Sequence, residues 1–174
     1  HALYSPVFPC SFNFTDDNEK NREIQGYTRR GHVSLAIAAL TFDFSIMEEF
    51  VPIANGMTVV LATSDEIMNP VMLADIMLKN RVDIMSCTPS YLLNMLEMSA
   101  YTDKFDKALK NLKSVDMGAE AFPPALFDKL REVNPDIYIM NGYGPTEATI
   151  SCTMQIIEDP DNIPIGIPNV NVPV

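Results

Sequence analysis

Residues 137–147 read Ile137-Tyr138-Ile139-Met140-Asn141-Gly142-Tyr143-Gly144-Pro145-Thr146-Glu147. An apolar run of strand composition breaks into a turn that holds two of the chain's seven glycines, a proline, an aromatic ring, a hydroxyl and a carboxylate. This is the pattern of a strand leaving its carboxyl end through a loop, the place where open α/β sheets bind ligands. Gly142 and Gly144 let backbone pass close to a ligand, Tyr143 offers a flat face, Thr146 a hydroxyl, and Glu147 a ligand for a hard cation. Composition alone favours an ordinary tight turn, because Gly-Pro pairs punctuate many loops that bind nothing.

The chain upstream decides between a strand-exit loop and an isolated turn. Val33 to Phe42 is a mostly apolar strand candidate, and Ser45-Ile46-Met47-Glu48 has the spacing of a helix capping box with Ser45 as the cap. That helix is expected to reach Asn55 and stop at Gly56. Met57 to Ala62 is a second strand, and Asn69-Pro70 fits an N-cap followed by proline at the first helical position, opening a helix to Lys79. Val82 to Cys87 is the next strand. A helix over 89–99 puts Tyr91, Leu92, Met95, Leu96 and Met98 largely on one face. Ser114 to Met117 is a strand, Pro123 to Val133 a helix, and Ile137 to Met140 the last strand. The alternation predicts an α/β fold with a mostly parallel sheet flanked by helices. Residues 32–174 are expected to form that α/β subdomain, and residues 1–31 an irregular N-terminal segment with a short helix at 17–25. Most of the eleven methionines fall on apolar faces, as core packing requires.

Composition narrows the function. A chain of 174 residues with 47% hydrophobic content is long enough for one globular core. Twenty-three acidic against twelve basic residues, a net charge of -11, argue against nucleic acid or an anionic membrane as partner. Cys10, Cys87 and Cys152 are widely spaced and read as reduced thiols. His1 and His32 supply no metal cluster or catalytic triad. No apolar run reaches the roughly 20 residues of a membrane span and no signal peptide is visible, so cytoplasm is the expected location. A start at His1 suggests a piece of something longer.

Two other strand exits carry chemistry. Phe42-Asp43-Phe44-Ser45 places a carboxylate at the mouth of a strand; with Ser45 taking the cap, Asp43 is left to hold an ammonium group. Ser86-Cys87-Thr88-Pro89-Ser90-Tyr91 and Gly118-Ala119-Glu120 lie between it and the Gly142 loop.

Taken together, these stretches resemble the motifs of the adenylate-forming enzymes, especially the amino-acid-activating adenylation domains of nonribosomal peptide synthetases. Asn141 to Glu147 matches every fixed position of the signature Asn-x-Tyr-Gly-Pro-Thr-Glu. Phe42 to Ser45 resembles the motif Phe-Asp-x-Ser, whose aspartate binds the substrate's α-amino group. Gly118-Ala119-Glu120 resembles Gly-Gly-Glu beside the adenine, with Ala119 in place of the second glycine. Pro164-Ile165-Gly166-Ile167-Pro168 resembles the segment after the Thr-Glu loop. Four motifs in the right order make coincidence a poor explanation.

The resemblance implies an ATP- and Mg²⁺-dependent ligase that forms an aminoacyl adenylate and passes it to the phosphopantetheine thiol of a carrier protein. It implies that Gly118, Ala119, Glu120, Asn141, Gly142, Tyr143, Gly144 and Thr146 cradle the nucleotide, with Tyr143 against adenine. Thr146 and Glu147 are the implied catalytic pair, Thr146 near the α-phosphate and Glu147 on the metal. Asp43, Phe44, Met47, Ser86, Asp116, Gly118, Gly142, Ile150 and Ser151 are the implied lining of the amino-acid pocket, and Asp116 with Ser86 and Ser151 suggests a polar or basic side chain. The family's lysine-containing phosphate loop has no counterpart in residues 1–41, and no Lys or Arg follows Arg131. The ribose-binding aspartate and catalytic lysine belong to segments beyond Val174, including a C-terminal subdomain. The expectation is therefore a central fragment, inactive alone. Alternatives are a fragment of D-alanine carrier-protein ligase or of an acyl-CoA synthetase-like enzyme, and a non-catalytic binding module that kept the fold.

Overall fold

A computed structural model describes residues 32–168. The helix expected at 17–25 and the irregular reading of 1–31 lie outside the described residues. The elements in chain order are β1 (Val33–Ala36), α1 (Phe44–Ala54), β2 (Thr58–Leu61), α2 (Ser64–Met68), α3 (Pro70–Asn80), β3 (Ile84–Cys87), α4 (Pro89–Met98), α5 (Lys104–Leu109), β4 (Ser114–Gly118), α6 (Pro124–Val133) and β5 (Tyr138–Tyr143). A 3₁₀ turn at Thr146–Ala148, β6 (Thr153–Ile156) and β7 (Ile167–Pro168) follow.

The described strands form one sheet in the order β2-β1-β3-β4-β5-β6-β7. β1 runs parallel to β2 and β3, and β3, β4 and β5 are parallel in turn; β6 and β7 are antiparallel additions. The chain steps outward from β1 to β2, then returns to β3 on the other side. This reversal between β1 and β3 opens the crevice in which doubly wound sheets bind ligands.

Register assigns the two faces of the sheet different jobs. Leu35 pairs with Met85, Met85 with Val115, and Val115 with Ile139, and all four are fully buried. Leu73 and Met77 of α3, Leu92 and Met95 of α4, Phe105 and Leu109 of α5, and Leu126 and Leu130 of α6 pack into the same cluster. Because side chains alternate along a strand, the next row, Ser86 with Asp116 and Asp116 with Met140, leaves the opposite face. That face is smaller and more polar, carrying Ser34, Ser86, Ser114 and Asp116 beside the buried Ile84 and a minor apolar cluster at Met140 and Met154.

Caps and loop ties place the helices. Asn69 accepts from the N–H groups of Val71 and Met72 ahead of Pro70, as its sequence position predicts. Asn134, buried after α6, donates from Nδ2 to the carbonyls of Leu109 (2.9 Å), Leu112 (2.8 Å) and Lys110 (3.4 Å). One side chain thus closes the α5–β4 loop onto the start of β5.

Several expectations require correction. β1 ends at Ala36, not Phe42, because the chain turns at once, with Phe42 N–H bonding to the Ala39 carbonyl at 2.8 Å. No capping box forms at Ser45: α1 begins at Phe44 with Asp43 at the N-cap, Ser45 is buried in the first turn, and Glu48 turns inward to backbone of the strand exit. The capping box lies instead at Thr63 and Glu66, opening the unforeseen α2. α5, β6 and β7 were also not foreseen, and β5 continues through Asn141 and Gly142 to Tyr143, so the front of the Gly142 stretch is strand and not loop. No helix among the described residues is long and apolar enough to cross a membrane.

Asn134→Ala removes the side-chain donor to the buried Leu109 and Leu112 carbonyls, of which Leu109 keeps the Leu112 N–H. A loss of about 1–3 kcal/mol in unfolding free energy is expected from urea denaturation, with an unchanged m-value.

Candidate functional site

The carboxyl ends of β1, β3, β4 and β5 enclose a cavity of about 820 Å³, within the range typical of small-molecule sites. The β1–α1 segment contributes Ile37, Ala38, Phe42, Asp43, Phe44 and Glu48. β3 and the start of α4 contribute Ser86, Cys87, Thr88 and Tyr91. The β4 exit contributes Asp116, Gly118, Ala119 and Glu120. β5 and its loop bring Asn141, Gly142, Tyr143, Gly144 and Thr146, and Ile150, Ser151, Met154, Ile163 and Ile165 complete the wall. Residues from motifs nearly a hundred positions apart therefore share one cavity. Two do not line it: Met47, whose neighbour Glu48 does, and Glu147, which is exposed in the 3₁₀ turn.

The wall has one sign of charge. Asp43, Glu48, Asp116 and Glu120 face it, and no Lys, Arg or His among the described residues does. Such a surface suits an ammonium group and offers phosphate oxygens no side-chain cation.

Asp43 sits at the N-cap of α1 but makes no capping hydrogen bond, because its φ of -58° and ψ of -28° are already helical. Its half-buried carboxylate therefore remains on the cavity wall. Glu48 is nearly fully buried, and its Oε2 accepts from Ile37 N–H at 2.9 Å and Ala38 N–H at 2.7 Å. Burial pushes its pKa up to about 7, against the pull of those two hydrogen bonds.

Elsewhere polar groups are engaged in building the site. Glu120 accepts from Ser90 N–H (3.1 Å) and Ser90 Oγ (2.8 Å), tying the β4 exit to the start of α4. Asn141 Nδ2 donates to the Pro164 carbonyl at 2.8 Å, and Thr153 Oγ1 to that of Ile165 at 2.6 Å. These bonds hold the 163–165 wall against β5 and β6. Tyr91 hydroxyl donates to the Ile67 carbonyl at 2.8 Å, and burial raises its pKa. Burial also raises the Cys87 thiol, which leaves it protonated and a poor nucleophile.

The glycines answer to backbone, not to open space for a ligand. A Cβ on Gly144 would lie 2.3 Å from the Ile150 carbonyl oxygen, and one on Gly118 2.9 Å from that of Gly142. Ala119 has φ +66°, a left-handed conformation that suits glycine. The missing second glycine of the Gly-x-Glu stretch is thus a matter of backbone strain as well as of room.

Sequence similarity identifies the family. A family model described as AMP-binding enzyme matches residues 12–174. The chain belongs to the AMP-binding enzyme family. Tyrocidine synthase 3 of Brevibacillus parabrevis is 35% identical over 142 residues, which is 81% of this chain and 2% of the synthase. The D-alanine--D-alanyl carrier protein ligase of Bacillus velezensis is 29% identical over 78% of this chain and 27% of its own length. Among solved structures, the nonribosomal peptide synthetase FmoA3 in its AMPPNP-bound form shares the fold at a TM-score of 0.80 and 23% identity, over 98% of this chain and 17% of that one. The α-methyl-L-serine-AMP-bound form gives 0.76 and 25%, over 86% and 17%. The chain therefore spans a small part of the length of these relatives, and its sequence is more similar to the tyrocidine synthase than to the ligase, 35% against 29% identity.

Sequence reasoning missed Glu48 as part of the wall, reading it as a cap partner. Its signal was helical phase: Ser45, Glu48 and Pro52 share the buried face of α1, an odd place for an acid.

Two stability measurements follow. Ala119→Gly relieves the left-handed strain and is expected to raise unfolding free energy by about 1 kcal/mol. The native state holds the Glu48 proton to higher pH than the unfolded chain does. That contribution is full below the ordinary carboxylate range and is lost as pH rises through about 7. Between about pH 5 and pH 8 the chain should therefore lose on the order of 2 kcal/mol relative to Glu48→Gln.

Proposed function

We propose that this chain carries the amino-acid pocket and part of the nucleotide site of an amino-acid-activating adenylation domain. The carrying observation is Asp43: a carboxylate with no cap to make, on the wall of an 820 Å³ cavity without a side-chain cation among the described residues. An amino acid entering this cavity would set its ammonium on Asp43. Its side chain would reach the Ser86–Asp116 register pair and Ser151, which favours a polar or basic substrate.

The reaction of such a domain joins the substrate carboxylate to the α-phosphorus of ATP and expels pyrophosphate, giving an aminoacyl adenylate. A phosphopantetheine thiol on a carrier partner then takes the acyl group. Tyr143, half exposed at the end of β5, offers its ring to the adenine, and Thr146 its hydroxyl to the α-phosphate side. Asn141, Gly118, Ala119 and Glu120 build the adenine side, the first and last through the protein bonds described above. Mg²⁺ would neutralise charge on the phosphate oxygens. No group of three or more metal-ligating side chains exists among the described residues, so Glu147 would hold it alone beside the phosphates, a ligand set usual for this ion.

No side-chain cation lines the cavity among the described residues, and residues 1–41 hold no counterpart of the family's lysine-containing phosphate loop, so the 174-residue chain is proposed to be inactive by itself and to complete its site with the C-terminal subdomain of its parent. A cytoplasmic parent agrees with the free thiols of Cys87 and Cys152.

Amino-acid-dependent pyrophosphate exchange tests the reading. The full-length parent should exchange with a polar or basic amino acid, and the isolated chain should not; preference for D-alanine would point to the ligase instead. In the parent, Asp43→Ala should abolish amino-acid use while sparing ATP binding, and unaltered amino-acid kinetics would refute the role given to Asp43.

A further inference from the structure

We propose that Glu48 is a positioning residue for the amino-acid end of the cavity: it clamps the Ile37–Ala38 backbone, so that the loop starting there presents Asp43 to the ligand. The inference rests on the reading that Asp43 receives the substrate ammonium.

The geometry is that of a missing ladder. β1 ends at Ala36, whose carbonyl still accepts from Ala62 N–H. The next two N–H groups, of Ile37 and Ala38, have left the sheet and find their acceptor in one atom, Glu48 Oε2. Partly buried amides that have left the ladder need a partner, and a single carboxylate oxygen takes both. The far end of the same loop is fixed by α1, where Ser45 N–H bonds to the Phe42 carbonyl and Ile46 N–H to that of Asp43. Glu48 lies on this helix, one turn beyond Asp43. The loop thus leaves the strand and enters the helix with both ends held by α1, and Asp43 lies between them. Shortening Glu48 releases the first end while the second stays anchored, which lets the Asp43 side of the cavity shift without unfolding the core beneath.

Steady-state exchange kinetics in the parent, with amide hydrogen exchange on this chain, test the clamp. Glu48→Ala should raise KM for the amino acid by about tenfold or more and leave KM for ATP within about twofold, since misplacing one binding group weakens only its own ligand. It should also speed exchange of the Ile37 and Ala38 amides. Glu48→Gln, which keeps an acceptor oxygen at the same reach, should restore both. A merely destabilised enzyme would lower kcat at unchanged KM values, and that result overturns the proposal, as does equal damage in the Gln variant. Absence of any amino-acid-dependent exchange in the wild-type parent would remove the functional reading and the clamp with it. Exchange with normal KM in Glu48→Ala would remove the clamp alone.

Discussion

The parallel register that aligns Leu35, Met85, Val115 and Ile139 across four strands is the constraint on which the remaining structure hangs. Side chains alternate faces with a period of two, so a slip of one residue would exchange the two faces completely. Ser86 and Asp116 would enter the apolar cluster, and Met85 and Val115 would line the cavity. Core and pocket are therefore fixed by one decision. The helices α3 to α6 reward the correct register by burying their apolar faces against that row.

Strands and long helices were legible in the sequence because their apolar period is unmistakable, and the Asn69-Pro70 start was legible because capping chemistry is local. The Phe42–Ser45 region was misread for the same reason. Ser45 and Glu48 have capping-box spacing, yet the glutamate satisfies two orphaned strand amides instead, a demand that only tertiary structure creates. Short elements such as α2 and α5 carry too few residues for a period to show. β6 is recruited by pairing with the extension of β5, which local composition does not reveal. At the site, Asp43, Ser86, Asp116 and Gly142 could be grouped only through family resemblance, and the structure assembles them around one cavity. The roles of Asn141 and Glu120 as ties to Pro164 and Ser90 were invisible, because both depend on contacts across more than twenty residues.

The electrostatics divide labour within the cavity. Four carboxylates face it; burial pushes the pKa of Glu48 up to about 7, and Glu120 accepts hydrogen bonds from Ser90 while Asp43 and Asp116 line the wall beside them. Among the described residues no Lys, Arg or His lines the cavity, so on the proposed reading side-chain cations for the phosphates come from elsewhere in the protein.

The separation of the sheet into an apolar face and a smaller, more polar one has an evolutionary consequence. Ser86 and Asp116 line the cavity and sit on the face opposite the main apolar cluster, so on the proposed reading changing them would alter what the cavity accepts without opening a hole in that packing. Scaffold and selectivity can then drift independently. A lineage built on this sheet can try new substrates by point substitution while its thermodynamic reserve stays nearly untouched.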